Sequence, residues 1–370
     1  RRGRMARGAR RAPAALLSLG PVLSWAPGCT ALTVAAVLQA GSPPAGPARH
    51  AEARTVSALV FDQGECSVCA FHGRAAPRLF IGGRDDGLGN NVAAIIYGMA
   101  FARKTGMSFG GVIGGGNVAH GLKVGRIVSD VFGLQKDHLY KKIIPMPAVK
   151  VKNLTQLEDL RFNQNVSGDV WLATSLPQGG IEAPRTVDDF LDDEFLQALR
   201  AQLLPRLANQ KPIAAIRHGR GPVVAMHVRR GDVSAVSYPD RYTKNEFYYE
   251  LAGRIRAQLP GAEVHVWSET GRSSVPRSFD GFRARNITVH LDTDVLQAWS
   301  HMAQSQVLVM AKSSFSFISA IMNRGCVVCQ PWLTRPLKSF TVTALHDRTM
   351  PTIADEELSA CLARAEPRIA

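Results

Sequence analysis

Val223-Val224-Ala225-Met226-His227-Val228-Arg229-Arg230-Gly231-Asp232 is an apolar run that ends abruptly in two arginines, a glycine and an acid. A short, unbroken apolar run closed by a turn residue reads as a strand buried on both faces, as in a parallel sheet. Downstream the same pattern repeats. A helical stretch covers 244–259, a strand Glu263–Trp267, and a strand Ile287–Leu291. A helix over 294–303 leads to a strand Val307–Met310, and a helix over 314–323 leads to a strand Cys326–Cys329. Gly325 follows that last helix as a C-terminal stop. Strands alternating with helices predict a parallel sheet, with ligands at the carboxyl ends of its strands.

Upstream, Leu79–Ile81 is a short strand that runs through Gly82-Gly83-Arg84-Asp85-Asp86-Gly87-Leu88-Gly89-Asn90-Asn91 into a helix from Val92 to Lys104, the start of a second Rossmann-like unit. A glycine-rich stretch follows at Gly110–Gly116. An amphipathic helix over 187–209 precedes a linker at Arg217–Pro222. The chain divides into a tail (1–55), an N-terminal domain (56–216) and a C-terminal domain (217–370). Each of the two domains is long enough to bury its own core.

The 370 residues carry a net charge of +14, and half of it lies in the tail, where eight arginines face the single acid Glu52. The folded part has no long Lys/Arg run, so a nucleic-acid reading would rest on the isoelectric point alone. A basic cleft for a nucleotide diphosphate accounts for the surplus as well. Six arginines precede the uncharged segment Ala12–Ala40, which fits a type II signal anchor with a cytoplasmic N-terminus. A cleaved signal peptide and a transit peptide are the alternatives. Residues 41–55 read as a flexible stem. Three sequons, at Asn153, Asn165 and Asn286, agree with a lumenal fold. Cys66/Cys69 and Cys326/Cys329 are too far apart in sequence for a zinc ribbon, so disulfides or buried thiols are expected.

The arginines after Met226 carry the chemistry. A guanidinium is a permanent cation with a planar fork of donors, suited to phosphate oxygens. His227 and Arg229 lie two apart, so they share a strand face, while Arg230 leans the other way unless the turn at Gly231 rotates it back. An ion-paired surface turn would look the same in sequence, and Arg230-Gly231-Asp232 as an adhesion tripeptide would need a flexible loop. Ser313-Ser314-Phe315-Ser316 opens a helix directly after a strand, where free N–H groups and the helix dipole favour an anion.

His227-Val228-Arg229-Arg230-Gly231-Asp232 resembles the first motif of the α1,2-, α1,6- and protein O-fucosyltransferase superfamily. Asp86-Gly87-Leu88-Gly89-Asn90 is similar to its N-terminal G-x-G-N turn, and Ser313–Ser316 to its third motif. Together they span residues 80–330. The resemblance implies an α/β fold of GT-B type, two Rossmann-like domains facing each other across a cleft, with the acceptor on the N-terminal side and the nucleotide sugar on the C-terminal side. It implies transfer of fucose from GDP-fucose to a glycan or glycoprotein, with inversion and with no metal or other cofactor. Another nucleotide sugar, or a non-catalytic binding protein of this fold, are the alternatives.

By position, Arg229 would bind the β-phosphate and stabilise the leaving diphosphate. His227, Gly87, Gly89, Asn90, Ser313, Ser314 and Phe315 would complete the donor site. Arg229, Arg230, Asp232 and Glu269 are the candidate catalytic residues, with Asp232 and Glu269 as general bases or as salt-bridge partners of nearby arginines. Three departures stand out: Asn91 replaces the family's Gln, Phe317-Ile318 replace two tryptophans, and Val266-Trp267-Ser268-Glu269-Thr270 lacks the paired aspartates of the second motif. Asp292-Thr293-Asp294 has three readings: a guanine contact through Asp294 or Asp292, a D-x-D metal site, and a helix cap by Asp292 or Thr293.

Overall fold

The computed structural model describes residues 77–82, 87–113, 131–132, 148–151, 169–172, 191–208, 221–271, 279–330, 336–347 and 349–365, all within the unit His50–Ala370. The tail, the stem, the Asn153 and Asn165 sequons, Cys66/Cys69 and the boundary expected at 216/217 lie outside the described residues.

The protein is α/β, with two parallel sheets. The first contains β1 (Arg78–Gly82), β2 (Ser108–Ile113), β3 (Ala148–Val151) and β4 (Asp169–Leu172), in the order β2-β1-β4-β3. The second contains β5 (Val223–His227), β6 (Glu263–Ser268), β7 (Thr288–Leu291), β8 (Val307–Val309), β9 (Cys326–Cys329) and β10 (Thr341–Val342). Their order is β10-β9-β8-β5-β6-β7, all parallel. Counted from β5 this is the dinucleotide-fold order 3-2-1-4-5-6, which reverses direction between β5 and β8. The apolar run at 223–227 is the central strand, buried along its whole length between β6 and β8. A small antiparallel pair, β11 (Ala344–Asp347) and β12 (Met350–Thr352), follows.

The described helices are α1 (Leu88–Thr105), α2 (Asp193–Ala208), α3 (Asn245–Gln258), α4 (Asp280–Arg283), α5 (Val295–Gln304), α6 (Ser314–Met322) and α7 (Asp355–Leu362). The second sheet buries both faces. Val224, Met226, Val264, Val307 and Val309 pack under α3 and α7. Ala225, Trp267 and Leu308 face α5 and α6, and that core continues without a break through α1 and α2 to β1. Two polar ties cross the same seam: Arg200 Nε donates to the Ile321 carbonyl at 2.9 Å, and Ser300 Oγ to the Leu207 carbonyl at 2.8 Å. The two halves therefore meet through packed helices.

Three local expectations change. Helix α1 begins at Leu88 rather than Val92, because the Gly87 carbonyl accepts from the amides of Asn90 (3.1 Å) and Asn91 (3.2 Å) and starts the helix one turn early. The amphipathic stretch expected over 187–209 is helical from Asp193. Gly325 is not a left-handed cap. Helix α6 ends at an extended Asn323, and Gly325 is required because a Cβ there would strike the Gln306 carbonyl. Of the second Cys-x-x-Cys pair, Cys326 is bonded to Cys361, tying α7 to β9, and Cys329 is a buried thiol.

Candidate functional site

In a doubly wound sheet, the loops leaving the strands on either side of the order reversal diverge and open a crevice. Here those loops are His227–Asp232 after β5 and Met310–Ser313 after β8. Arg229 joins them: its Nη1 donates to the Lys312 carbonyl at 3.3 Å. Its Nε and Nη2 hold both carboxylate oxygens of Asp232, at 3.0 and 2.6 Å. A guanidinium has five N–H donors. Those three contacts leave one N–H on each terminal nitrogen, the pair that forms a fork on an oxyanion.

Asp232 thus fixes the orientation of Arg229. Burial pushes its carboxyl up, but the hydrogen bond from Arg229 and the charge beside it outweigh that and hold the pKa below the usual carboxylate range. A carboxylate held ionised by a bidentate arginine is a poor proton acceptor, so its place favours the salt-bridge reading over the general-base reading.

His227 is the last residue of β5, and the charge of Arg229, two residues on, acts on its ring. It is buried, and its ring is 5.2 Å from that of Phe315. Burial first, then the positive charge of Arg229, push its pKa down to about 3, so the ring is neutral at physiological pH. Its Nδ1 is buried and has no hydrogen-bond partner among the described residues.

The third wall is the start of α6. Ser313 is its cap, accepting the Phe315 amide at 3.2 Å. The first amides of a helix have no acceptor inside it, which leaves Ser314 N–H open to an anion. Trp299 Nε1 anchors this turn through the Phe315 carbonyl at 3.0 Å. The turn containing Gly87, Leu88, Gly89 and Asn90 closes on it from the other half of the chain. A Cβ on Gly89 would lie 2.5 Å from the Phe315 nitrogen and 2.6 Å from the Ser314 carbonyl carbon, so only glycine allows this approach. Gly87, the N-cap of α1, has open space where a Cβ would be, and Asn90 sits half-buried in the first turn.

Other expected residues stand apart. Arg230 is 5% exposed and packs its guanidinium 4.5 Å over the Tyr242 ring. It donates to the carbonyls of Arg229 (2.8 Å) and Thr243 (2.9 Å) and to the Asn245 side chain. These contacts tie Arg230 to the start of α3. Glu269 is exposed and lies over Gly231, occupying the space a Cβ there would take. The Asp292-Thr293-Asp294 carboxylates are committed separately. Asp294 caps α5 through the amides of Leu296 and Gln297, at 2.9 and 3.3 Å. Asp292, at a left-handed φ of 52°, accepts from Thr270 through both its amide (2.8 Å) and its hydroxyl. Asp294 is the helix cap, and the sequence-based expectation of Asp292 or Thr293 in that role is corrected.

Two contributors were missed. Lys312, 2% exposed, precedes the cap and supplies the carbonyl that Arg229 holds; a lysine beside an apolar strand end was the available signal. Gln330, at the end of β9, accepts from Thr243 Oγ1 (2.6 Å) and donates to the Met310 carbonyl (2.9 Å), bracing the two loops from beneath; nothing in the sequence marked it.

No protein-family model and no curated protein matches the sequence. Among solved structures, the chain is similar to E. coli heptosyltransferase WaaC with ADP, at 11% identity and a TM-score of 0.43 over 78% of this chain and 100% of that one. It is similar to POFUT1 in complex with GDP, at 11% identity and a TM-score of 0.36 over 68% and 96%. It is also similar to a Listeria monocytogenes protein described as a UDP-N-acetylglucosamine 2-epimerase, at 11% identity and a TM-score of 0.36 over 78% and 86%. Likenesses this distant carry no argument on their own; the strand order and the groups at the crevice carry it.

Proposed function

We propose that the chain is a GT-B-type glycosyltransferase that transfers fucose from GDP-fucose, with inversion and without a metal, to a glycan or glycoprotein. The observation that carries this reading is the crevice itself. At the order reversal of a dinucleotide-type sheet, an oriented arginine fork, a neutral histidine with an unpaired buried nitrogen and a serine-capped helix start converge. That set suits a nucleoside diphosphate: the fork and the helix amides take the phosphates, beside a neutral imidazole that adds no charge of its own. Loss of the nucleotide diphosphate is the demanding step of sugar transfer. Fixed positive groups aimed at the departing charge lower its barrier. Asp294 caps α5 and Asp292 accepts from Thr270, which supports arginine rather than a D-x-D-bound ion as the counter-charge.

The Cys326–Cys361 disulfide and the exposed Asn286 sequon support a lumenal protein, with the N-terminal segment as a type II anchor in the Golgi membrane. Glu269, exposed beside the Gly231 turn, is the candidate general base. The test is a screen of GDP-, UDP- and ADP-sugars for hydrolysis or transfer, with products read by mass. Release of GDP from GDP-fucose above the other donors is the expected result. Turnover of UDP-sugars alone would replace the donor assignment, and turnover of none would remove the enzyme reading.

A further inference from the structure

The loop that leaves the ion pair, Val233–Tyr242, is built more firmly than a connection requires. The Ser234 amide donates to the Ser237 carbonyl at 2.9 Å, and the two hydroxyls lie 2.8 Å apart. The Ser234 hydroxyl also accepts from the Ser237 and Val236 amides, at 2.9 and 3.2 Å. The far end is a short 3-10 turn, Pro239–Arg241, and Tyr242 beyond it is clamped under Arg230 at 4.5 Å.

What this frame presents runs against ordinary surface chemistry. Val236 is 93% exposed and Tyr238 is 58% exposed; with Val149 they are the exposed large hydrophobics among the described residues. Tyr238 also holds a left-handed backbone, φ 59° and ψ 55°. A bulky aromatic residue is disfavoured there, where asparagine or glycine would be at ease. An unfavourable conformation held by surrounding hydrogen bonds points to a task for the side chain it displays.

The Arg241 guanidinium lies 5.2 Å from the centre of the Tyr238 ring. After burial, which acts the other way, and after Arg229, the charge of Arg241 also acts on the Asp232 carboxylate. An aromatic ring, a small apolar side chain and a guanidinium thus share the loop that starts directly after the Arg229–Asp232 pair and ends at Tyr242 under Arg230.

Size decides what such a patch can hold. A stable protein interface needs roughly 800 Å² from each partner, far beyond two side chains. One pyranose ring, with an apolar C–H face and hydroxyls at its rim, matches an aromatic plate flanked by a donor. We infer that Tyr238, Val236 and Arg241 form a sugar-ring subsite that receives the acceptor glycan at the mouth of the crevice. The inference rests on the glycosyltransferase reading for the word acceptor, though not for the binding itself.

Saturation-transfer NMR on the intact chain tests it, with the methyl glycosides of galactose, glucose, mannose and N-acetylglucosamine as probes, and a GDP titration run in parallel. At least one glycoside should receive saturation on its ring protons. Its affinity should fall about tenfold in Tyr238→Asn, which suits the backbone but removes the ring, and hold in Tyr238→Phe. Val236→Ser, at a fully exposed position, should weaken it as well and serves as the test should Tyr238→Asn not fold. Absence of binding by every glycoside, or binding indifferent to both Tyr238→Asn and Val236→Ser, overturns the subsite. If glycosides bind through Tyr238 while GDP does not bind, the subsite stands and the transferase reading falls. If GDP binds and no glycoside depends on Tyr238, the reverse holds.

Discussion

Gly89→Ala should damage the protein more than its chemistry suggests, and Gly87→Ala should not. In a helix, alanine is favoured over glycine by about 1 kcal/mol, so propensity alone predicts a gain at Gly89. The structure predicts a loss. The new Cβ would lie 2.5 Å from the Phe315 nitrogen, 2.6 Å from the Ser314 carbonyl carbon and 2.8 Å from the Phe315 Cα. Carbon contacts are comfortable near 3.5 Å, so the α6 turn must retreat by roughly 1 Å, and it is backbone that must move. Overpacking of this kind costs about 1–3 kcal/mol, which outweighs the propensity term. The retreat also carries Ser313 and Ser314 away from Arg229, and a misplacement near 1 Å costs about 100-fold in rate. At Gly87, φ −60° and ψ 150° suit any residue and nothing lies within 4 Å of a Cβ. The assay is thermal unfolding of both variants with and without GDP, followed by initial transfer rate. Gly89→Ala should melt lower by a few degrees, at about 2–4 °C per kcal/mol, and lose most of its stabilisation by GDP. Equal melting and equal GDP response in the two variants would refute the claim that this close approach shapes the site.

Arg229→Lys loses the fork on Asp232 and on phosphate, so turnover should drop about 100- to 1000-fold with a nearly unchanged melting temperature. Arg230→Lys should do the opposite, lowering the melting temperature through lost bonds to Thr243 and Tyr242 while retaining measurable turnover at low temperature. His290 is held neutral, its pKa pushed down to about 4 by burial and then by His265. The unfolded chain takes up a proton there near 6.5 and the folded one does not, so stability falls as pH drops from about 6.5 toward 4; His290→Asn should flatten that slope in a pH series of thermal melts. Cys326→Ser removes a cross-link across 35 residues and should cost up to about 4 kcal/mol in a denaturant titration, while buried Cys329, its thiol pushed up to about 12 by burial, stays inert to alkylating reagents.

Five strands of the second sheet were readable because each is a short apolar or alternating run between turn residues, and their bounds differ from expectation by at most a residue; β10, only Thr341-Val342, offers no such run and was not expected. The turn after β5 was readable because an apolar run ends there in charged residues and a glycine. What escaped depends on tertiary packing. Gly89 was read as part of a turn, yet it lies in the first turn of α1, where its missing side chain admits α6. The reduced exposure of Lys312 and the bracing by Gln330 arise from elements far apart in sequence. The role of Asp232 turned on a side-chain choice, pairing with Arg229, that spacing permits without requiring. Sequence likewise could not decide among the readings of Asp292 and Asp294, since an acid before a helix is equally a cap, a base contact or a ligand until its partners are seen.

The central claim is that the crevice between β5 and β8 binds a nucleoside diphosphate through Arg229 without a metal. Calorimetric titration of the intact chain with GDP in excess EDTA tests it most directly. The account predicts single-site binding to the wild-type protein that is lost in Arg229→Ala. Absence of binding in EDTA with recovery on adding Mn²⁺, or binding that persists unchanged in Arg229→Ala, would contradict it.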